Sequence, residues 1–333
     1  MTENLSRFAA SVVIPTHNPR EDYLRRVLEA LRRQTLAKDL WELVIIDNGS
    51  REPLKAAVGP RDYGTTGPQA TEVDLSWHSN ARIVREEALG LTNARLRGFA
   101  ETRGEVMVLV DDDNVLALDY LEQAVRIARE YPFLGAWSGQ SIAEFEDPSN
   151  LPHPLLKGFL QDRRLDADCW SNDRNHTKSD PYGAGMCVRR CVADAYRRKL
   201  DSQPERKGLD LQGSVLIYGG DLDLAFAGLD IGLGKGVFQS LSFIHLMPKH
   251  RCETGYLLRA AEGHAQSQVL AAWLNGDVLP DSRENWRSSA LEWVRCLMHG
   301  PIYRARWRAW KQGTARGKEL IAKLQTERHK LKQ

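Results

Sequence analysis

The sequence predicts an α/β fold: a mainly parallel sheet flanked by helices, followed by a helical C-terminal extension. Three observations predict it. Strand-sized β-branched runs alternate with helix-period segments over the first 140 residues, several of those runs end in polar clusters, and the pattern turns helical from about Thr254 to the end. At 333 residues, 42% hydrophobic and 27% charged, the chain has the size and composition of one large or two ordinary soluble domains.

Ala10–Pro15 (ASVVIP) and Leu43–Ile46 are short apolar runs suited to strands buried on both faces. Between them Leu24, Val27, Leu28 and Leu31 follow the i, i+3, i+4, i+7 spacing of an amphipathic helix. Residues 51–80 hold Gly59-Pro60, Gly64 and Gly67-Pro68 without periodicity and read as a long loop. A strand at Ala81–Arg85, a helix over about Thr92–Thr102, a strand at Val106–Val110 and a helix marked by Leu118, Leu121, Val125 and Ala128 complete right-handed βαβ units. Prolines at 148, 152, 154 and 181 predict surface loops over 145–182; Gly183–Arg189 reads as a strand, Asp221–Leu229 as a helix and Val237–Leu246 as strand. Gly232-x-Gly234-x-Gly236 follows a helix and precedes a strand, the reverse of a dinucleotide loop, and reads as helix termination. The expected division is a domain over 1–250 and a helical extension over 251–333.

Several classes are disfavoured. No apolar run approaches the ~18–20 residues that cross a bilayer, and MTENLSRF lacks the basic and apolar regions of a secretory signal. Five cysteines (169, 187, 191, 252 and 296) are too few and too irregular for a disulfide framework. Together these predict a cytoplasmic protein.

In open α/β sheets ligands bind outside the carboxyl ends of the strands. Here the strand ends carry Thr16-His17-Asn18, Asp47-Asn48 and Asp111-Asp112-Asp113-Asn114, which predicts one cleft. Three adjacent carboxylates repel one another, and a hard divalent cation such as Mg2+ or Mn2+ removes that cost. The plain alternative is a helix N-terminus with an aspartate cap.

The segments SVVIPTHN (11–18), VIIDNGS (44–50), GLTNARLRG (90–98), VLVDDDNV (108–115), GAGMCVRR (183–190) and GGDLDLAFAGLDIG (219–232) together resemble the inverting nucleotide-sugar glycosyltransferases of family 2, with the GT-A fold. They occur in the family's order and cover roughly residues 10–250. The resemblance implies a UDP-sugar donor and a sugar or lipid-linked acceptor, with a place in surface polysaccharide or glycolipid synthesis. Pro15, Thr16, His17 and Asn18 would border the nucleoside, with Asn48 beside them. Asp47 would accept the uracil N3–H, or serve only as a turn former. Arg95 matches the arginine of the family's Ala-Arg-Asn segment, with Leu96 where the family has asparagine, and would contact nucleotide or phosphate. Asp113 would be the most direct metal ligand, with Asp111 or Asp112 touching ribose or a metal-bound water and His245 a third ligand. The general base falls on Asp221, preceded by Gly220 where the family has glutamate, and Asp223 competes for the role. Gly183 and Gly185 leave room for a sugar, and Lys249, His250 and Arg251 would clamp the diphosphate. Two rivals are a sugar nucleotidyltransferase, which would need a Gly-rich phosphate loop after the first strand, and a non-catalytic nucleotide-sugar binder.

Of 46 basic and 44 acidic residues, ten Lys/Arg and only two Glu fall in 302–333, about +8. With Tyr303, Trp307 and Trp310 among them, this tail fits peripheral contact with an anionic membrane surface, or a solvated or oligomer-forming helix. A nucleic-acid partner is not expected.

Overall fold

The computed structural model describes residues 8–57, 72–210, 219–277, 295 and 298–330. Cys296 and much of the 51–80 loop lie outside the described residues. The chain divides into two compact units: Met1–Glu144, Asp162–Ser202 and Asp221–Leu246 form the first, and Phe145–Gln161, Gln203–Gly220 and Met247–Gln333 the second. The last crossing falls close to residue 250, and two earlier segments join the C-terminal helices.

The first unit is built on a mixed sheet. Its strands are β1 (Ala10–Thr16), β2 (Trp41–Asn48), β5 (Ala81–Glu86), β6 (Val106–Leu109), β7 (Asn114–Leu116), β8 (Leu134–Phe145), β9 (Cys169–Ser171), β10 (Cys187–Arg189) and β11 (Gly234–Met247). The two-residue strands β3 (Lys55–Ala56) and β4 (Glu72–Val73) pair separately. The sheet order is β5-β2-β1-β6-β10-β8-β11-β7, with β9 also on β11. The first four are parallel, as the alternating half of the sequence predicts, and β10 enters antiparallel to β6.

The β-branched runs bury both faces. Val12, Ile14, Leu43, Ile45 and Val108 pack on one side with α1 (Glu21–Arg32) and α3 (Tyr120–Glu130). Val13, Val44, Ile46, Met107 and Leu109 pack on the other with α2 (Leu91–Glu101), α4 (Arg190–Ser202) and α5 (Gly220–Asp230). Each such side chain contributes about 1.5–3 kcal/mol when fully buried, and the period-2 alternation fixes register, because a one-residue slip would exchange the two cores.

The expected strand over 183–189 is shortened to Cys187–Arg189. The reason is local: the Gly183 N–H faces the Asp221 carboxylate and the Gly185 carbonyl accepts the Tyr120 hydroxyl at 2.5 Å, so neither is available to a ladder. Arg189 and Arg190 donate to carbonyls at the C-terminal ends of α3 and α2, among them Tyr131 and Phe99, placing cations where those helix dipoles are negative.

In the second unit α6 (Thr254–Asn275) packs on α7 (Gly300–Lys330). A β-carbon on Gly313 would run into the Glu262 carbonyl, so glycine is what permits the close approach. Leu156 and Leu160 pack with Leu257, and Leu209 with Leu270 and Ile321, which ties the two earlier segments to these helices. Among the described residues no helix is long and apolar enough to cross a membrane.

Candidate active site

Parallel pairing sets Thr16 level with Asp47 and Asp47 level with Arg85, so three strand ends finish together. Pro15 lies one position inside, in register with Ile46. The Thr16 hydroxyl bonds Asp112 Oδ2 across to the end of β6. His17 Nδ1 donates to the Asn48 carbonyl at 2.7 Å, which leaves Nε2 to accept from Asn18 Nδ2, also at 2.7 Å. The Asn18 N–H donates to Ser50 Oγ, and Asn18 Oδ1 accepts the Arg51 N–H, each at 2.9 Å. Asn48 is fully used: its amide donates to the carbonyls of Glu86 and Ala88 and accepts the Gly90 N–H at 2.8 Å. It thereby fixes the turn that leads into α2 and to Arg95.

Asp47 is 1% exposed. Its Oδ1 accepts the Ser50 N–H at 3.1 Å, while Oδ2 accepts the Leu54 N–H at 3.1 Å and Arg85 Nη1 at 2.8 Å. Burial alone would raise this carboxyl, but Ser50, Arg85 and Leu54 outweigh it and hold it below the usual carboxylate range. Three donors thus already sit on the carboxylate. A cavity of about 610 Å³ lies alongside, lined by Asp47, Leu54, Lys55, Arg82, Arg85 and Glu87. Arg85 is absent from the sequence expectations; its register opposite Asp47 is the signal that would have found it.

Beyond β6 the chain turns sharply. Asn114 Oδ1 accepts the Asp111 N–H at 3.2 Å and Asn114 Nδ2 donates to Asp113 Oδ1 at 2.9 Å. β7 then pairs antiparallel with β11, Asn114 opposite His245, and the Leu246 N–H donates to the Asp113 carbonyl. This brings His245 Nε2 to 3.6 Å from Asp113 Oδ2, both side chains buried, with no hydrogen-bond partner for His245 Nδ1 among the described residues. The Asp111 carboxyl is pushed up to about 6, by burial first and then by Asp113, with Asp221 adding and Arg95 and His245 opposing. These five groups therefore share one electrostatic neighbourhood. The three-ligand metal set is not assembled: among the described residues no group of three His, Cys, Asp or Glu is disposed to hold an ion. Asp113 and His245 come together because β7 and β11 pair.

Asp221 opens α5. Its Oδ1 lies 2.6 Å from Arg95 Nη1, and its Oδ2 accepts the Gly183 N–H at 3.1 Å. A β-carbon on Gly183 would strike that carboxylate. The Arg95 side chain is 3% exposed and that of Asp221 28%, so the arginine lies beneath and the carboxylate opens to solvent. Asp223 is separated from it, buried with Lys199 Nζ at 3.1 Å. Lys249, in the second unit, pairs with Asp147 at 3.4 Å.

Two cations add a second layer: Lys235, at the start of β11, and the half-buried Arg163 in the loop before β9. Lys235 is fully buried and bonds Asp180 and the His176 carbonyl, and Arg163 stacks on Tyr182 at 3.7 Å while donating to the Asp180 carbonyl. They hold the segment that delivers Gly183 to Asp221.

Residues 11–201, more than half of the chain, match the model of Glycosyl transferase family 2. The chain belongs to glycosyl transferase family 2. Relatives of this family 2 chain include EpsH of Bacillus subtilis strain 168, which carries a provisional glycosyltransferase designation; it is 30% identical over 155 residues, 46% of this chain and 40% of EpsH. Validoxylamine A glucosyltransferase of Streptomyces hygroscopicus subsp. limoneus is 32% identical over 160 residues, 46% of this chain and 30% of that protein. The matched region thus spans well under two thirds of these relatives. Among solved structures, TarS 1–349 of S. aureus, in complex with UDP-GlcNAc, matches with a TM-score of 0.46 at 12% identity, over 78% of this chain and 66% of that one.

Proposed function

We propose that this family 2 chain transfers a sugar from a nucleotide-sugar donor, a UDP-sugar, to a hydroxyl group of a sugar or lipid-linked acceptor, by single in-line displacement with inversion at the anomeric carbon. It would work in the cytoplasm, at the inner face of the membrane, in surface polysaccharide or glycolipid synthesis. The observation that carries this reading is the Asp221 carboxylate, oriented from two sides by Arg95 and the Gly183 N–H and still open to solvent.

Among the described residues each Asp221 oxygen has one donor, which leaves a lone pair to receive the acceptor proton. Arg95 and Gly183 fix the direction in which that lone pair points, so the ordering cost is met before the acceptor arrives. Asp223, closed in with Lys199, has no such opening. Thr16, His17, Asn18 and Asn48 form the rim for the nucleoside, Asp111 and Asp112 lie toward the ribose, and Asp47 acts through the loop it holds.

Asp113 and His245 are buried, 3.6 Å apart, and offer an oxygen and an imidazole nitrogen, a set that fits a divalent cation whose remaining ligands are phosphate oxygens and water. They would hold Mg2+ or Mn2+, and that ion would neutralise charge developing on the departing nucleoside diphosphate.

Incubation with a panel of UDP-, GDP- and dTDP-sugars, with Mg2+, with Mn2+ and with chelator, tests the reading. Release of nucleoside diphosphate that needs metal and Asp221 supports it. Pyrophosphate exchange would make the chain a nucleotidyltransferase, and donor binding without turnover would make it a binder.

A further inference from the structure

The basic tail predicted as one patch is divided by the fold. Along α7 the inward face buries Ala309 and Ile321 and sets Gly313 and Gly317 against α6. Farther along, Arg316 pairs with Glu262 and Arg328 with Glu205, and Glu319 and Glu327 dilute the remaining charge. The first half differs. From Gly300 to Lys318 it contains no Asp or Glu, and Arg304, Arg308 and Lys311 are exposed at i, i+4 and i+7, one row along the outward face. At 1.5 Å per residue the row spans roughly 10 Å. Trp307 borders it, with Lys311 Nζ 4.3 Å from its ring centre, while Trp310 packs on His264 of α6.

We propose that this row is the chain's contact with an anionic lipid bilayer. The observation behind it is charge complementarity: adjacent cations without an intervening carboxylate match a layer of phosphate headgroups. The Trp307 indole beside the row has the amphipathic character suited to headgroup depth. Because the apolar stripe of α7 is already committed to α6, the contact is adsorption rather than insertion. It is salt-sensitive, as screening requires, and each cation strengthens partitioning about fivefold, corresponding to about 1 kcal/mol. It stands independently of the transferase reading, since vesicle binding needs no turnover.

Co-sedimentation of the full chain with phosphatidylcholine vesicles, with and without about 30 mol% phosphatidylserine, tests it. The expected result is binding only to the anionic vesicles, lost at high salt. It should weaken about 25-fold in Arg304→Gln/Arg308→Gln, and stay unchanged in Arg197→Gln/Arg198→Gln, which removes the same charge from the exposed face of α4. Equal loss in both double variants would reduce the effect to net charge and overturn the proposal. So would equal binding to neutral vesicles, or retention of a duplex oligonucleotide with vesicles ignored.

Discussion

Arg95 and Asp221, 126 positions apart, form an ion pair at 2.6 Å in which the arginine is buried and the aspartate is half open. A buried guanidinium against the edge of a carboxylate fixes its plane, and the Gly183 N–H fixes it from the second oxygen. The side chain expected to meet the nucleotide is thus also what positions the proposed base.

Arg95→Ala should therefore lower kcat by about 100-fold, because a misplacement of the order of an ångström costs that much. Arg95→Lys should recover little, since a point charge does not replace a planar fork. Initial rates over a grid of donor and acceptor concentrations check this. A rise in donor KM with unchanged kcat would instead assign Arg95 to phosphate binding alone.

Asp221→Asn and Asp223→Asn should separate cleanly. The first should lower turnover by about 10²–10⁴-fold while donor binding, read by calorimetry, is retained. The second breaks the buried Asp223–Lys199 contact, although Lys199 keeps Asp230 at 2.9 Å, and should cost about 1 kcal/mol of stability, with turnover kept in the folded fraction. Urea titrations and rates on the same preparations decide it, and the reverse assignment would make Asp223 the base.

His78 supplies a pH test outside the site. It lies edge-on to Trp41 with ring centres 4.2 Å apart, its Nδ1 accepts the Asn80 N–H at 3.2 Å, and its buried Nε2 has no hydrogen-bond partner among the described residues. Burial, assisted by Lys38, pushes it down to about 4. Unfolded, the ring takes up its proton near pH 6.5. Between those values the unfolded chain binds more protons, so stability should be fully present above about pH 6.5 and fall as pH drops toward 4, by about 3 kcal/mol. Urea midpoints at pH 7.5 and 4.5 should converge in His78→Phe relative to the parent chain. Equal pH dependence in both would remove His78 as the cause.

The parallel half of the sheet was legible because each strand there is a short β-branched run, and burial on both faces leaves that composition little alternative. β8 was not. Its sequence, LGAWSGQSIAEF, carries two glycines, and a β-carbon on Gly139 would strike the Leu241 backbone, so close strand approach erases the usual signal. α4 was hidden by its charge, since Val192, Ala193, Tyr196 and Leu200 make only a narrow stripe. In the site, the aspartates and their strand ends could be read locally. What each one touches could not: Asp47 with Arg85, Asp113 with His245 and Arg95 with Asp221 are all set by tertiary pairing between distant segments.

Asp47 should behave as a loop anchor. Asp47→Asn keeps the shape but turns one oxygen into a donor facing either the Ser50 N–H or the Leu54 N–H together with Arg85, and it discards a carboxylate held below its usual range. The stability from that depressed carboxyl is present above its unfolded value near 3.9 and lost as pH falls through the folded one. The variant should therefore be destabilised at pH 7 by about 1–3 kcal/mol, with the difference shrinking below about pH 4. Donor preference among UDP-, GDP- and dTDP-sugars should stay as it is in the folded fraction. A switch in nucleotide preference without loss of stability would assign Asp47 to the base after all.

Gly183→Ala isolates the geometry from the chemistry. No titratable group is removed, yet the added methyl meets the Asp221 carboxylate and must displace it from the Gly183 N–H or from Arg95. Asp221 is partly open, so it can swing outward at little cost to folding. Thermal melting should change little, while kcat should fall about 100-fold with donor affinity retained. Activity near the parent level would mean that the orientation imposed by Gly183 and Arg95 is dispensable, and the proposed role of Asp221 would fall with it.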